Sequence, residues 1–307
     1  MSINAADYED IIYADDLNAF RVFPGEATNA EILERNAACQ ERLHEWGKQN
    51  RVSFDPMKES SHVICQSGSE GGNCKLLGIK FDTQLTMHAA VDDLVHECRW
   101  KRMSLQRSRA FYSTEKMVGL WKAHILSFIE YRTPGIFHAA DSHLSRVDGL
   151  QSGFLREMGI SEFDALVHFK LAPLCTRRDI AMLGLIHRCV LGHGPPHFKR
   201  FIAFAERQSR GLRSSEQRHS LQLKSMIDGT QKEITRRSML GMIDVYNILP
   251  CAIVDQSPSV QVFQSLLQQM VTEAATSDTD AWQRLLSSRH PLYIHPLRSW
   301  WRWEPNV

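Results

Sequence analysis

The stretch Ile11-Ile12-Tyr13-Ala14-Asp15-Asp16-Leu17-Asn18 constrains the fold more than any other. Two adjacent carboxylates stand between an apolar run and the alternating Ala19-Phe20-Arg21-Val22-Phe23. That pattern predicts two short antiparallel strands joined by a tight turn. Asp suits such a turn for its backbone alone, because its side chain bonds nearby main-chain groups. A conformational role and a chemical one are both open at this point.

Downstream, Thr28 and Glu31 form a capping-box pattern, and Ile32, Cys39, Leu43 and Trp46 then recur on one helical face. This helix is expected to pack its apolar stripe against the sheet carrying Asp15. Strands are expected over residues 62–66 and 75–82, on either side of the Gly- and Ser-rich turn Ser67-Gly68-Ser69-Glu70-Gly71-Gly72. From Met87 the periodicity becomes helical. Helices are predicted over 89–107, over 113–131 with Ser113 as cap and an end before Pro134, and over 142–159, 177–191 and 260–272. Trp121, Ile125, Phe128 and Ile129 form the core stripe of the second of these. Residues 208–231 are polar and basic, a pattern of a mobile linker or a charged helix.

With 36 Lys and Arg against 35 Asp and Glu, the total charge points to no class of partner, but its distribution is uneven. Residues 1–60 are rich in Asp and Glu, while 198–237 carry ten Lys and Arg, among them Lys199, Arg218 and Arg237. The first pattern suits a cation and the second a polyanion, unless both are simply solvated faces. Seven Cys without a Cys-x-x-Cys pair argue for free thiols in a reducing compartment, hence an intracellular setting. His187, Cys189, His193 and His197 are the nearest approach to a ligand cluster. Gly194-Pro195-Pro196 interrupts their helical spacing, so no metal site is expected there. No apolar run approaches membrane-spanning length. The tail Trp300-Trp301-Arg302-Trp303 fits either a stacking surface or a docked terminus with buried rings.

Tyr13-Ala14-Asp15-Asp16 between apolar strands is similar to the active-site hairpin of reverse transcriptases. Two further stretches follow in the order of that family. Residues 46–59, Trp-Gly-Lys-Gln-Asn-Arg-Val-Ser-Phe-Asp-Pro-Met-Lys-Glu, resemble the segment after the palm helix in the non-LTR retrotransposon enzymes. That segment is a Trp, an Asn-Gly-Leu-like turn, a short strand and a Lys-Thr-like pair. Here Arg51 stands where the family usually has Gly, Asp55 where it often has Asn, and Glu59 where it often has Thr. Leu76-Leu77-Gly78-Ile79-Lys80-Phe81-Asp82 then resembles the Leu-Gly strand pair called the primer grip, and 120–131 looks like a thumb helix.

The resemblance implies an α+β chain. A small antiparallel palm remnant (1–86) is followed by a mostly α-helical thumb-like region (87–205), then a basic linker and helical C-terminal extension (206–307). It implies RNA-directed DNA synthesis with two metal ions, Mg2+ or Mn2+, expected only in the complete enzyme. Asp15 and Asp16 would be catalytic metal ligands and Lys58 the proton donor or charge stabiliser. Leu77 and Gly78 would be the primer grip. Arg99, Lys101, Arg102, Arg107, Arg109, Lys116 and Lys122 would track the phosphates of an RNA or DNA template-primer. Only ten residues precede Ile11, so the fingers and the family's remaining catalytic Asp are expected to be missing and the chain to be inactive alone. The competing expectation is a non-catalytic nucleic-acid-binding or scaffold protein derived from the thumb region. A third is a translated relic.

Overall fold

The computed structural model describes residues 8–13, 16–65, 72–205, 218–227, 233–277, 279, 281–300 and 302–305. They fall into two compact units, one of residues up to 63 with 72–74, the other of 64–65 and everything from 75 onward. The fold is mostly helical with two small antiparallel sheets, an α+β arrangement.

In the first unit β1 (Glu9–Tyr13) pairs antiparallel with β2 (Asp16–Phe20), and α1 (Asn29–Asn50) follows. Thr28 caps α1 as its sequence predicts. Its hydroxyl accepts from the Glu31 N–H, and its own N–H donates to the Glu31 carboxylate at 2.9 Å. The helix ends at Arg51, whose φ of 59° lies in the left-handed region that favours glycine. The expected apolar stripe is only partly buried. Cys39 is the one buried hydrophobic residue among the described residues of this unit, and Ile11 and Ile12 on the hairpin are exposed.

β3 (Cys74–Leu76) starts on the last residue of the first unit, and β4 (Ile79–Phe81) follows in the second. The single strand expected over 75–82 is instead a hairpin, because Leu77 (φ 48°) and Gly78 (φ 81°) both take left-handed conformations and form a two-residue turn. Residues 62–65 are not a strand, although the Cys65 N–H donates to the Thr83 carbonyl at 2.9 Å. Residue 66 lies outside the described residues. The hairpin docks on the helices that follow: Ile79 and Phe81 pack against their core, and Gly135 leaves room for Ile79. The packing therefore divides earlier than residue 86.

Helices α2 (His88–Arg107), α3 (Thr114–Trp121), α4 (Ser127–Ile136) and α5 (Asp141–Met158) enclose one apolar cluster, in which Trp121 stacks on Phe154 with centroids 4.5 Å apart. A π-helical turn, Lys122–Leu126, joins α3 and α4 into one rod. That rod was expected to stop before Pro134, which has no N–H to give to Glu130. It continues because Ile136 and Phe137 beyond the proline are buried. The short α6 (Glu162–Val167) leads to α7 (Leu174–Val190). Helices α8 (Glu233–Arg237), α9 (Met239–Asn247), α10 (Cys251–Val254) and α11 (Val260–Thr276) complete the set. A second apolar cluster joins Ile180, Leu183 and Ile186 of α7 to Tyr246, Phe263 and Leu267, so no division falls at residue 205.

Of the expected linker or helix over 208–231, residues 218–227 are described and are neither. Leu223 is buried and bridges to Phe204, while the Asn247 side chain bonds both its N–H and its carbonyl at 2.8 Å. The tail is a docked terminus: Trp303 is buried and its indole N–H donates to Glu273 at 2.6 Å. Trp301 lies outside the described residues.

Two substitutions check the left-handed positions. A non-glycine residue there costs roughly 1–2 kcal/mol, and glycine offsets this by an entropic loss of up to about 1 kcal/mol. Arg51→Gly should therefore raise stability by about 0.5–1 kcal/mol, and Gly78→Ala should lower it by about 1 kcal/mol, both read as urea midpoints. Unchanged midpoints would contradict these turn conformations.

Candidate functional site

Pairing of Tyr13 with Asp16 and of Ile12 with Leu17 closes the first hairpin, leaving Ala14 and Asp15 as its connection. Both of these lie outside the described residues. Asp16 begins β2 and is exposed. Side chains alternate along a strand, and the register sets Asp10 opposite Ala19 on the face of Ile12 and Leu17. Asp16 belongs to the other face, with Ile11, Asn18 and Phe20. Asp10 is therefore not a neighbour of Asp16 across the hairpin.

Lys58, expected near the leaving group, is exposed on a turn closed by Asp55. The Asp55 carbonyl accepts from the Lys58 N–H at 2.9 Å, and its side chain accepts from the Met57 N–H at 3.0 Å. Glu59 bonds His44 at 3.0 Å and also Gln40. The bonds from His44 and then Gln40 hold its carboxyl below the usual range. Asn36 accepts from the Tyr8 hydroxyl at 2.8 Å and donates to Ser61 at 2.8 Å. Asn36, Gln40 and His44 recur every four residues, so one polar stripe of α1 holds the segment with Glu59 and Ser61. Sequence reading missed this stripe, although its i, i+4, i+8 spacing was visible.

Leu77 and Gly78 form the turn of the second hairpin, and the Leu77 carbonyl accepts from the Tyr131 hydroxyl at 2.9 Å. The basic series separates into two kinds. Arg99, Lys101, Arg107, Arg109 and Lys116 are exposed, with the Lys101 ammonium 4.6 Å from the centroid of the Phe128 ring. Arg102 and Lys122 turn inward. The Arg102 guanidinium lies 3.7 Å from Glu157 over Gly153, and Lys122 donates to the Phe169 carbonyl. Burial, then the nearby Arg177 and Lys170, lower the Lys122 ammonium's proton affinity. In the second basic stretch Arg218 likewise serves the fold, donating to Ile248 and Leu297 carbonyls at 2.9 and 3.3 Å.

A cleft of about 290 Å3 between α5, α6 and α7, lined by Asp148, Gln151, Glu162 and Cys175 among others, was not anticipated. Beside it Arg178 makes two bonds to Asp148, at 2.6 and 2.9 Å, and Arg289 contacts Asp141 at 2.8 Å. Burial pushes the Asp179 carboxyl up to about 7, against the pull of Arg178 and Arg289. Among the described residues no group of three or more His, Cys, Asp and Glu could hold a metal ion. No helix among them is long and apolar enough to cross a membrane. Comparison with protein-family models, with curated proteins and with solved structures finds no match for this chain.

Asp179 yields a signed prediction. Its unfolded value is about 3.9, so between about pH 4 and pH 7 the folded state holds a proton that the unfolded state releases. Its contribution therefore falls as pH rises through that window. Asp179→Asn should raise the melting temperature at pH 8 by several degrees, and the gain should vanish toward pH 4. A gain independent of pH would show that the carboxyl does not titrate as described.

Proposed function

We propose that this chain is a C-terminal palm and thumb fragment of a reverse transcriptase of non-LTR retrotransposon type. The observation that carries the reading is the antiparallel pairing of Tyr13 with Asp16, the two ends of the Tyr-Ala-Asp-Asp sequence. The left-handed Arg51, at the position where the family has Gly, supports it. So does the order of hairpin, long helix, second hairpin and helical unit. Asp15 and Asp16 are the residues that would hold Mg2+ or Mn2+. Such an ion usually takes one or two carboxylates from the protein and the rest of its shell from substrate phosphates and water. Bound metal would supply activation of the primer hydroxyl and neutralisation of the diphosphate. Lys58, exposed on its turn, would add positive charge near that ion, and Leu77 and Gly78, the two-residue turn of the second hairpin, would be the primer grip.

Two measurements test the metal reading. Millimolar Mn2+ should raise the melting temperature, with a linkage contribution of about 1.4 kcal/mol at ten times the dissociation constant. The rise should shrink in the Asp15→Asn/Asp16→Asn double variant, and equal shifts in both proteins would place the metal elsewhere. Primer extension by the 307-residue chain is expected to be absent in Mg2+ or Mn2+, because an adjacent pair of carboxylates falls short of a two-metal site. Extension that disappears in Asp15→Ala would overturn that expectation.

The second reading, a non-catalytic nucleic-acid-binding protein, is favoured by the exposed Arg99, Arg107, Arg109 and Lys116. Four phosphate contacts predict a log–log salt slope near about −3.6 for duplex binding. Each cation removed should reduce the slope by about 1. A dissociation constant insensitive to salt would exclude phosphate tracking.

A further inference from the structure

Residues 98–114 contain five Lys and Arg and no Asp or Glu. They form the second half of α2 and the turn after it, Arg109–Phe111. Val91, Leu94, Val95 and Cys98 bury one face of α2 and hold it in place. The opposite face carries Trp100, Met103 and Arg107. Trp100 and Arg107 are seven residues apart, so they lie about 20° apart around the helix and about 10.5 Å apart along it. Trp100 is 62% exposed, and just past the helix end Phe111 is 81% and Tyr112 48% exposed.

The backbone that presents these rings is fixed. The Phe111 N–H donates to the Ser108 carbonyl at 2.9 Å, and the Ser108 hydroxyl to the Leu105 carbonyl at 2.6 Å. Large rings left in water on a rigid backbone lose little entropy when something covers them. The neighbouring charges identify what that is. Arg99, Lys101, Arg107 and Arg109 are all exposed, which favours a polyanion over an apolar protein surface. A polyanion that also offers flat aromatic faces is a nucleic acid with unpaired bases, since bases in a duplex already stack on one another.

We infer that the outward face of α2 and the turn Arg109–Phe111 bind single-stranded nucleic acid, with bases stacked on Trp100, Phe111 and Tyr112 and phosphates held by Arg99, Arg107 and Arg109. The inference rests on the nucleic-acid-binding reading of the helical unit and adds a substrate class to it.

The test compares a short oligo(dT) with an abasic oligomer of equal phosphate number, by fluorescence anisotropy on the full chain. Oligo(dT) should bind at least about tenfold more tightly, the contribution of a single stacked base, and more if all three rings are occupied. Trp100→Ala with Phe111→Ala should remove most of that difference and leave the abasic oligomer unchanged, while Trp100→Phe should retain it. Equal affinity for the two oligomers overturns the stacking inference, and so does an equal loss on both in the alanine variant. If salt-dependent duplex binding persists in that case, the phosphate-tracking reading stands without it. Failure of every oligomer and duplex to bind removes both. Self-association abolished by Trp100→Ala, with no affinity for oligonucleotide, would make this face a protein interface and also overturn the inference.

Discussion

Helix α7 is buried along most of its length yet carries Thr176, Arg178, Asp179 and His187 in its interior positions. A buried donor or acceptor left without a partner costs roughly 1–3 kcal/mol, and a charge costs more. For Thr176, Arg178 and His187 the partners come from distant parts of the chain, while burial raises the proton affinity of the Asp179 carboxyl. The Thr176 hydroxyl donates to the Gln283 carbonyl at 2.6 Å, and Arg178 grips Asp148 on α5. His187 lies between the Tyr246 hydroxyl and the Ser257 carbonyl, each at 3.0 Å, and stacks on Phe263. The carbonyl can only accept, so the imidazole donates from Nε2, and the tyrosine hydroxyl donates to Nδ1. Burial lowers its proton affinity and keeps it neutral. Apolar packing alone would tolerate small rotations of α7; these bonds fix its register against α5, α9 and the segment after α11.

The first unit is held by the opposite means. With a single buried hydrophobic residue among its described residues, it depends on side-chain bonds from one polar stripe of α1. Exposed or half-exposed bonds contribute little each. Units with few buried apolar contacts open at low free energy. A ligand that bound only its closed form would change its stability by a large fraction of the total. This makes thermal shift a sensitive readout for the cation proposed at Asp15 and Asp16.

What could be read from the sequence was what neighbouring residues decide. The Thr28 and Ser113 caps open their helices where a side-chain oxygen reaches the N–H three residues on. What could not be read depends on contacts made in the folded chain. Pro134 signals a helix end, and only the burial of Ile136 and Phe137 carries the helix past it. Leu77 hides a turn because leucine rarely accepts φ of 48°. Arg102 and Lys122 look like their neighbours in sequence, and their inward roles depend on Glu157 and Phe169, which folding brings to them.

The sorting of cations bears directly on function. Arg178, Arg289 and Arg102 meet carboxylates supplied by the fold, and their charge is used in holding it together. Arg107 and Arg109 lie in an acid-free stretch on and just past the outward face of α2, with Arg99 exposed on its flank. At low salt these like charges repel one another, and at physiological salt screening over about 8 Å reduces that repulsion without making it favourable. Their mutual repulsion does not stabilise the helical unit as it stands, although Arg107, in the last turn of α2, suits the C-terminal end of that helix's dipole. Bringing phosphates to such a face releases counterions and relieves the repulsion together. The affinity gained would be electrostatic, while any preference for unpaired bases would have to come from the rings between the charges. For this reason salt dependence and base dependence are separable properties of one surface.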